Sequence, residues 1–444
     1  MNSPPSKMTI SDVTCTFCGC TCDDIELTVE ENRITQAKNA CVLGKAWFLN
    51  HQESDRPICT VEGRPASVEE GIDRAARILA EARYPLLYGL SDTTCEAQRK
   101  AVAIADWIGG TIDTTTSVCH GPSGMAFQSV GEVTATLGEV RHRADLVIYW
   151  GCNPAESHPR HFTKFTLMPK GMFVPRGRQD RTCVVVDVRR TKSAKAADLF
   201  LQVRPCKDFE ALWTLRALVK GLSLDADQVE AETGVSLAVW RELADRMKKA
   251  RFGALFFGMG QTMTRGKHLN CEALLALVRD LNDFTRFVCK PMRGHGNVTG
   301  ADHVLSWRTG YPFGVNLSRG YPRFNPGEYT ATDILSRREA DAAMILAADP
   351  MANLCQAARE HLASIPYIAL DPQETPTTRQ ATVAFAPAPY GISVAGTVYR
   401  MDDVPLPLRP ALPTSRPSDY EILCRLEHRV RQLVASAKRG YSTS

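Results

Sequence analysis

Continuous apolar runs that stop at small polar loops recur along this chain: "PLLYGL", "ADLVIYWGCNP", "CVVVDVRR", "FGALFFGMG", "DAAMILAADP" and "IPYIALDP". A strand that is apolar at nearly every position is buried on both faces, and such strands alternating with helices build parallel sheets. The helices are legible too. "CEAQRKAVAIADWIGG" has helical spacing and a glycine stop, and "NCEALLALVRDLN" is amphipathic. The runs end in Gly, Asn, Asp or Pro, at the carboxyl edge where open α/β sheets bind ligands. The fold class read from this pattern is α/β.

At 444 residues the chain is too long for one simple core and should divide into two or three lobes. Its net charge of +4 is spread without a basic stripe, which gives no footing for nucleic acid. No apolar run reaches the length of a membrane span. The opening "MNSPPSKMTIS" lacks an apolar signal region. Fifteen cysteines without such a signal point to a reducing compartment, the cytoplasm by default. After "LRPALPTSRPSDYE", a proline-rich linker, comes the charged helix "YEILCRLEHRVRQLVASAKR". No internal repeat is visible.

Near the amino end, Cys15, Cys18, Cys20 and Cys22 crowd into eight positions, and Cys41 follows. Taking Cys15, Cys18, Cys22 and Cys41 gives C-x2-C-x3-C, then 18 residues and one more Cys. The segments "DIELTVEE" and "NRITQAK" read as a hairpin turning at Glu31-Asn32, which returns Cys41 to the loop. Four converging thiolates suit a [4Fe–4S] cluster or a structural zinc. Three on one tight loop plus a distant fourth fit the cluster better, since zinc ribbons use two C-x-x-C knuckles. Cys20 is spare. A lone cluster carries electrons without bond chemistry, so a second centre is expected. "TTTSVCHGPSG" sets Cys119 beside His120, a metal thiolate with a proton carrier, a nucleophile with its base, or a structural cysteine. "KPMRGHGNVTGAD" adds Arg293 and His295, a carboxylate or phosphate contact or a structural loop.

Taken in order, "CTFCGCTCDDI", "CVLGKAWF", "VCHGPS", "VIYWGCNPAESHPRH", "GMGQTMTRGKHLN", "MRGHGNVTGAD", "TGYPFGVNLSRGYPRFNPGEY" and "GTVYRMDDVPL" resemble the B-type subunit of formylmethanofuran dehydrogenase. That family lies within the molybdopterin oxidoreductases, and the resemblance runs from Cys15 to about Pro407. It implies that Cys15, Cys18, Cys22 and Cys41 hold a [4Fe–4S] cluster, with Lys45 between cluster and pterin. It makes Cys119 the thiolate on tungsten or molybdenum, with His120 handling the proton and Arg293 the formate carboxylate. Loops at Gly151, Asn153 and Pro154, and at Asp187 and Arg189, would hold phosphates and guanine of molybdopterin guanine dinucleotide, of which two are implied. Cys152 and Cys206 depart from the pattern, standing where a glycine is usual.

The implied fold is a small N-terminal iron–sulfur domain, residues 1–60, on two doubly wound lobes with the cofactor between them. The first lobe is discontinuous, 61–135 with 331–410. The second is 136–330, and 411–444 forms the linker and C-terminal helix. The fold is molybdopterin-oxidoreductase-like but lacks the C-terminal pterin-covering domain of formate dehydrogenases. A separate small subunit is therefore expected to supply that cover, beside an amidohydrolase-type subunit. The implied function is a catalytic subunit that interconverts CO2 and formate by two electrons in one-carbon metabolism. The alternative is a non-redox scaffold in a bacterial formyltransferase/hydrolase complex handling formyl-methanofuran. The complete set of cluster cysteines with Cys119, His120 and Arg293 favours the redox reading. A formate dehydrogenase or nitrate reductase acting alone would need the covering domain.

Overall fold

The computed structural model describes residues 7–52 and 55–441; residues 1–6, the start of the stretch read as lacking a signal region, lie outside it. Two compact units emerge. Met1–Val118, His295–Arg400 and Pro405–Ser444 make the first, Cys119–Gly294 and Met401–Val404 the second. Each apolar run named above forms a strand. Among the described residues no helix is long and apolar enough to cross a membrane.

The second unit carries five parallel strands in the order Leu199–Gln202, Thr182–Asp187, Leu146–Trp150, Phe252–Phe257, Arg286–Pro291. The strand order reverses beside Leu146–Trp150, so the crevice past Trp150 and Phe257 is this sheet's switch point. Leu146, Ile148 and Trp150 face one buried core with Leu212, Leu215 and Leu274 of the covering helices. Tyr149, on the opposite face, stacks on Phe256.

The first unit is built on a nine-stranded sheet. Its parallel centre runs Thr111–Thr114, Pro85–Gly89, Ala342–Leu346, Tyr367–Leu370, Val383–Phe385. The late strands thus complete the sheet begun by "PLLYGL", with a switch point between Pro85–Gly89 and Ala342–Leu346. Burial on both faces explains the unbroken apolar runs. Leu87, Met344 and Ile368 face one core, and Leu86, Tyr88, Ile345 and Tyr367 face the other.

The lobe boundaries differ from those expected of the sequence. Residues 119–135 go with the second unit, because Ala126 of helix Gly121–Val130 packs into its core against helix His268–Leu281. Residues 295–330 go with the first. There, helix Val298–Thr309 buries Ala301, Val304 and Leu305 beside Ala97 and Ala101, and Val315–Asn316 pairs with Thr111–Thr114. Nor does 411–444 stand apart: Ile422, Leu423, Leu426 and Val430 of helix Asp419–Tyr441 enter the same core.

Asp419, at the start of that helix, makes a testable point. Its Oδ2 accepts from Thr93 Oγ1 at 2.7 Å, and its buried Oδ1 has no partner. Burial pushes its carboxyl up to about 7. A carboxyl raised on folding stabilises fully only below its unfolded value near 4, and that stability is lost as pH rises through 7. Asp419→Asn copies the neutral form at every pH. Its melting temperature relative to the unsubstituted chain should therefore rise from pH 5 to about pH 7 and level off above it; a pH-independent difference would refute the buried acid.

Candidate cofactor-holding site

In the first unit, strands Ile25–Glu30 and Arg33–Lys38 form the expected hairpin. Glu31 and Asn32 have φ of 47° and 60°, the left-handed pair of a tight turn. Lys7–Val13 adds a third strand that the sequence pattern did not reveal. The hairpin returns the chain to helix Val42–Leu49, capped by Cys41, whose Sγ accepts from Gly44 N at 3.4 Å. Gly44 fits where a Cβ would lie 3.2 Å from Cys15 Sγ and 3.8 Å from Cys41 Sγ. The loop itself closes through Cys15 N–H to Cys22 O at 2.8 Å and Thr21 N–H to Cys18 O at 3.0 Å. The Cys15 thiol is pushed well up by burial, with added repulsion from Cys22, Cys18 and Cys41. The Cys18, Cys22 and Cys41 sulfurs thus lie within electrostatic reach of Cys15. Cys20 is not idle: its thiol hydrogen-bonds the Cys18 sulfur, which lowers Cys18 and raises Cys20. Lys45 is exposed in the first turn of the helix. Among the described residues no three His, Cys, Asp or Glu side chains converge tightly enough to hold a single ion.

In the second unit, the strand end after Trp150 is shaped by glycine. Gly151 has φ of 57°, and a Cβ there would lie 2.9 Å from the Gly260 Cα. Only glycine lets the two loops approach so closely. Asn153 then caps the short helix Pro154–Ser157. Its Oδ1 accepts from Ser193 N at 3.1 Å and Ser193 Oγ at 2.7 Å, while Ala155 N–H donates to Ser193 Oγ at 3.1 Å. Asp187 is half-buried; burial raises its carboxyl, and it accepts from Arg189 N at 3.3 Å. Arg189 itself is exposed. Cys152 turns its thiol back to Phe256 O at 3.5 Å, so its bulk packs against the sheet. Cys206 holds φ of 64°, the left-handed conformation that glycine favours.

The first unit contains the same device, although the sequence shows no repeat. Asp349 caps the short helix Pro350–Asn353 with φ of −121° and ψ of 71°, against −128° and 67° at Asn153. Asp349 Oδ1 accepts from Thr377 N at 3.1 Å and Thr377 Oγ1 at 2.6 Å, and Met351 N–H donates to Thr377 Oγ1 at 3.1 Å. Asp371, six residues before Thr377, directly follows its strand, and Asp187, six residues before Ser193, ends its own. Asp349 and Asp371 were legible only as Asp-Pro strand ends; shared geometry identifies them as counterparts of Asn153 and Asp187. Each turn stands at the carboxyl edge of its own sheet, where open α/β sheets bind ligands.

Cys119 and His120 open the second unit, between the turn Thr115–Val118 and helix Gly121–Val130. Thr262 Oγ1 donates to the Cys119 carbonyl at 2.7 Å. His120 is fully buried, with Nδ1 2.9 Å from Ser123 Oγ and Nε2 3.3 Å from Met292 O. Burial, with the nearby Arg293 charge, lowers it to about 3 and keeps it neutral. Arg293 is 7% exposed. Cys119, His120 and Arg293 thus share one unit, and the last two lie within electrostatic reach. His295 belongs instead to the first unit, where its backbone bridges Cys18 and its Nδ1 lies 3.3 Å from Asp92 Oδ2. Sequence reasoning passed over His158 and His161, both buried near this centre; the run "SHPRH" was their only signal.

The glycine-shaped loops at the sheet edges, the cysteine-rich loop and the buried His–Arg pair mark this α/β protein's candidate sites. No protein-family model matches the chain. Over 434 residues it is 46% identical to the B-type subunit of tungsten-containing formylmethanofuran dehydrogenase 2 from Methanocaldococcus jannaschii, spanning 96% of this chain and 99% of that one. The same-named protein of Methanococcus maripaludis is 43% identical over 431 residues, 95% and 99% of the two chains. The chain belongs to the family of formylmethanofuran dehydrogenase B-type subunits, an oxidoreductase family. In fold it is similar to a chain of the formyltransferase/hydrolase complex of Methylorubrum extorquens, with a TM-score of 0.68, 23% identity, and 84% of this chain and 99% of that one covered.

Proposed function

We propose that this chain is the redox subunit of a formylmethanofuran dehydrogenase-type complex, interconverting CO2 and formate by two electrons in the cytoplasm. The single observation that carries the reading is the buried pair His120 and Arg293 following Cys119 in one unit, in a chain 46% identical to a tungsten-containing relative. A tungsten or molybdenum bis-pterin centre, when bound, supplies the electron-pair chemistry at the one-carbon unit.

The residues present fit that group and its cluster. Cys15, Cys18, Cys22 and Cys41 offer four soft thiolates, and a single tetrahedral ion would need its sulfurs about 3.8 Å apart, from bonds of ~2.3 Å. Four cysteine thiolates are the ligand set of a [4Fe–4S] cube, beside which Lys45 would stand. Gly151, Asn153, Pro154, Asp187 and Arg189 would hold one guanine dinucleotide. Asp349, Asp371 and Thr377 would hold the second. Cys119 would be the protein thiolate on the metal. The Arg293 guanidinium would bind the formate carboxylate through paired N–H donors. His120, neutral at rest, would handle the proton only in transit, through Nδ1 and the Ser123 hydroxyl, since its Nε2 is committed to a carbonyl. A small covering subunit and an amidohydrolase-type subunit would be its partners, the latter exchanging the formyl group with a methanofuran-type carrier.

The test is tungsten, molybdenum, iron and pterin per chain in the complex purified without oxygen. One heavy metal, two pterins and about four irons are expected. A complex with none of these that still processed formyl-methanofuran would refute the reading and leave the scaffold.

A further inference from the structure

Two buried histidines grip consecutive carbonyls of one loop. His158 Nε2 lies 2.7 Å from the Arg293 carbonyl, and His120 Nε2 lies 3.3 Å from the Met292 carbonyl. A carbonyl can only accept, so in each ring Nε2 must carry the proton. The other nitrogen is then an acceptor, and in each case a serine oxygen lies beside it: Ser157 Oγ at 2.8 Å from His158 Nδ1, its hydroxyl shared with the Asn153 carbonyl at 3.1 Å, and Ser123 Oγ at 2.9 Å from His120 Nδ1. The arrangement serine, neutral histidine, carbonyl is therefore present twice. Met292 N–H adds a bond to Phe257 O at 2.8 Å, and Arg293 N–H bends back to Pro291 O at 3.1 Å. The backbone that carries Arg293 is held at every polar atom from Met292 N to Arg293 O.

His158 sits directly after the short helix Pro154–Ser157, whose cap is Asn153. It is 2% exposed, and burial keeps its ring below the usual histidine range, hence neutral. A buried imidazole with both nitrogens used is a rigid strut, because either lost bond would strand a polar group away from water.

We propose that His158, oriented by Ser157, is a positioning residue that sets Arg293 by donating Nε2–H to its carbonyl. This ties the arginine loop to the strand end that carries Asn153, so substrate placement and the dinucleotide loop share one side chain. The inference rests on the dehydrogenase reading for its kinetic consequence but not for its structural one. An arginine that binds the carboxylate equally in the ground and transition states affects KM more than kcat.

The test uses the intact complex carrying His158→Gln or His158→Leu. A glutamine amide reaches the Nε2 position and can still donate; leucine fills the space without a donor. His158→Leu should raise the KM for formate about tenfold or more with kcat within about threefold, and His158→Gln should stay within about threefold on both. Tungsten, molybdenum and iron contents should match the unsubstituted complex in both variants. Hydrogen–deuterium exchange of the peptide spanning 288–296 should speed up in His158→Leu and not in His158→Gln, whatever the metal content. Equal behaviour of the two variants, in KM and in exchange, would overturn the proposal, because packing rather than the hydrogen bond would then set the loop. If the unsubstituted complex oxidises no formate, the dehydrogenase reading fails and the exchange comparison alone decides the clamp: faster exchange only in His158→Leu upholds it, no difference overturns it.

Discussion

Cys119→Ser is expected to lower formate oxidation by at least about a thousandfold, equivalent to ~4 kcal/mol of barrier. A serine hydroxyl is a harder and far less acidic donor than a thiol, so it is a poor substitute on a soft, electron-rich centre. The substitution should leave the fold alone. Cys119 is only half-buried, and its hydrogen bond with Thr262 uses the backbone carbonyl, which serine keeps. The check is formate-dependent dye reduction by the anaerobic complex, with iron and pterin measured on the same sample. Iron should remain at the unsubstituted level, because Cys15, Cys18, Cys22 and Cys41, the proposed cluster ligands, lie in the other unit. Activity within about tenfold of the unsubstituted complex would exclude Cys119 as the metal ligand.

Gly296→Ala is expected to cost the chain its iron. A methyl group at Gly296 would overlap the Thr16 carbonyl and the Tyr390 hydroxyl. Thr16 lies next to Cys15, and His295 bridges Cys18 through the backbone, so the added group pushes on the loop carrying three of the four thiols. Tyr390 cannot simply swing away, since its hydroxyl is held by Thr16 O at 2.9 Å and Asp92 at 3.0 Å. Overpacking of this kind costs about 1–3 kcal/mol when the neighbours can yield, and a backbone carbonyl yields least. Iron per chain should fall well below the unsubstituted value, the visible absorbance of the cluster with it, and the melting temperature by several degrees. Unchanged iron and melting would show that the loop can shift without losing its ligand geometry.

Much of this centre was legible because it is local in the chain. Cys15, Cys18 and Cys22 share one loop, and the Glu31-Asn32 turn that returns Cys41 is chemistry of adjacent residues. Gly151 and Asn153-Pro154 follow directly from a strand end. Other parts depended on residues far apart in sequence. Nothing near Asn153 announces Ser193, and nothing near Asp349 announces Thr377. The doubled device escaped sequence reading because each copy keeps chemistry rather than residues: amide for carboxylate, serine for threonine. The compact units are bounded elsewhere than the expected lobes for a related reason, since the helix of residues 298–309 and the strand of 315–316 are placed by what they pack against.

The chain's pattern of apolar runs determined parallel sheets, because a strand with no polar face must be covered on both sides. Its cysteine spacing put Cys15, Cys18 and Cys22 on one loop. Which strands neighbour one another was decided only in three dimensions, because a parallel pairing joins segments separated by whole helices, and sometimes by a whole second unit, as Pro85–Gly89 and Ala342–Leu346 are. The neutral state and tautomer of His120 and His158 were decided there too. Each depends on a carbonyl more than a hundred residues away and on the burial that makes an unpaired ring nitrogen costly.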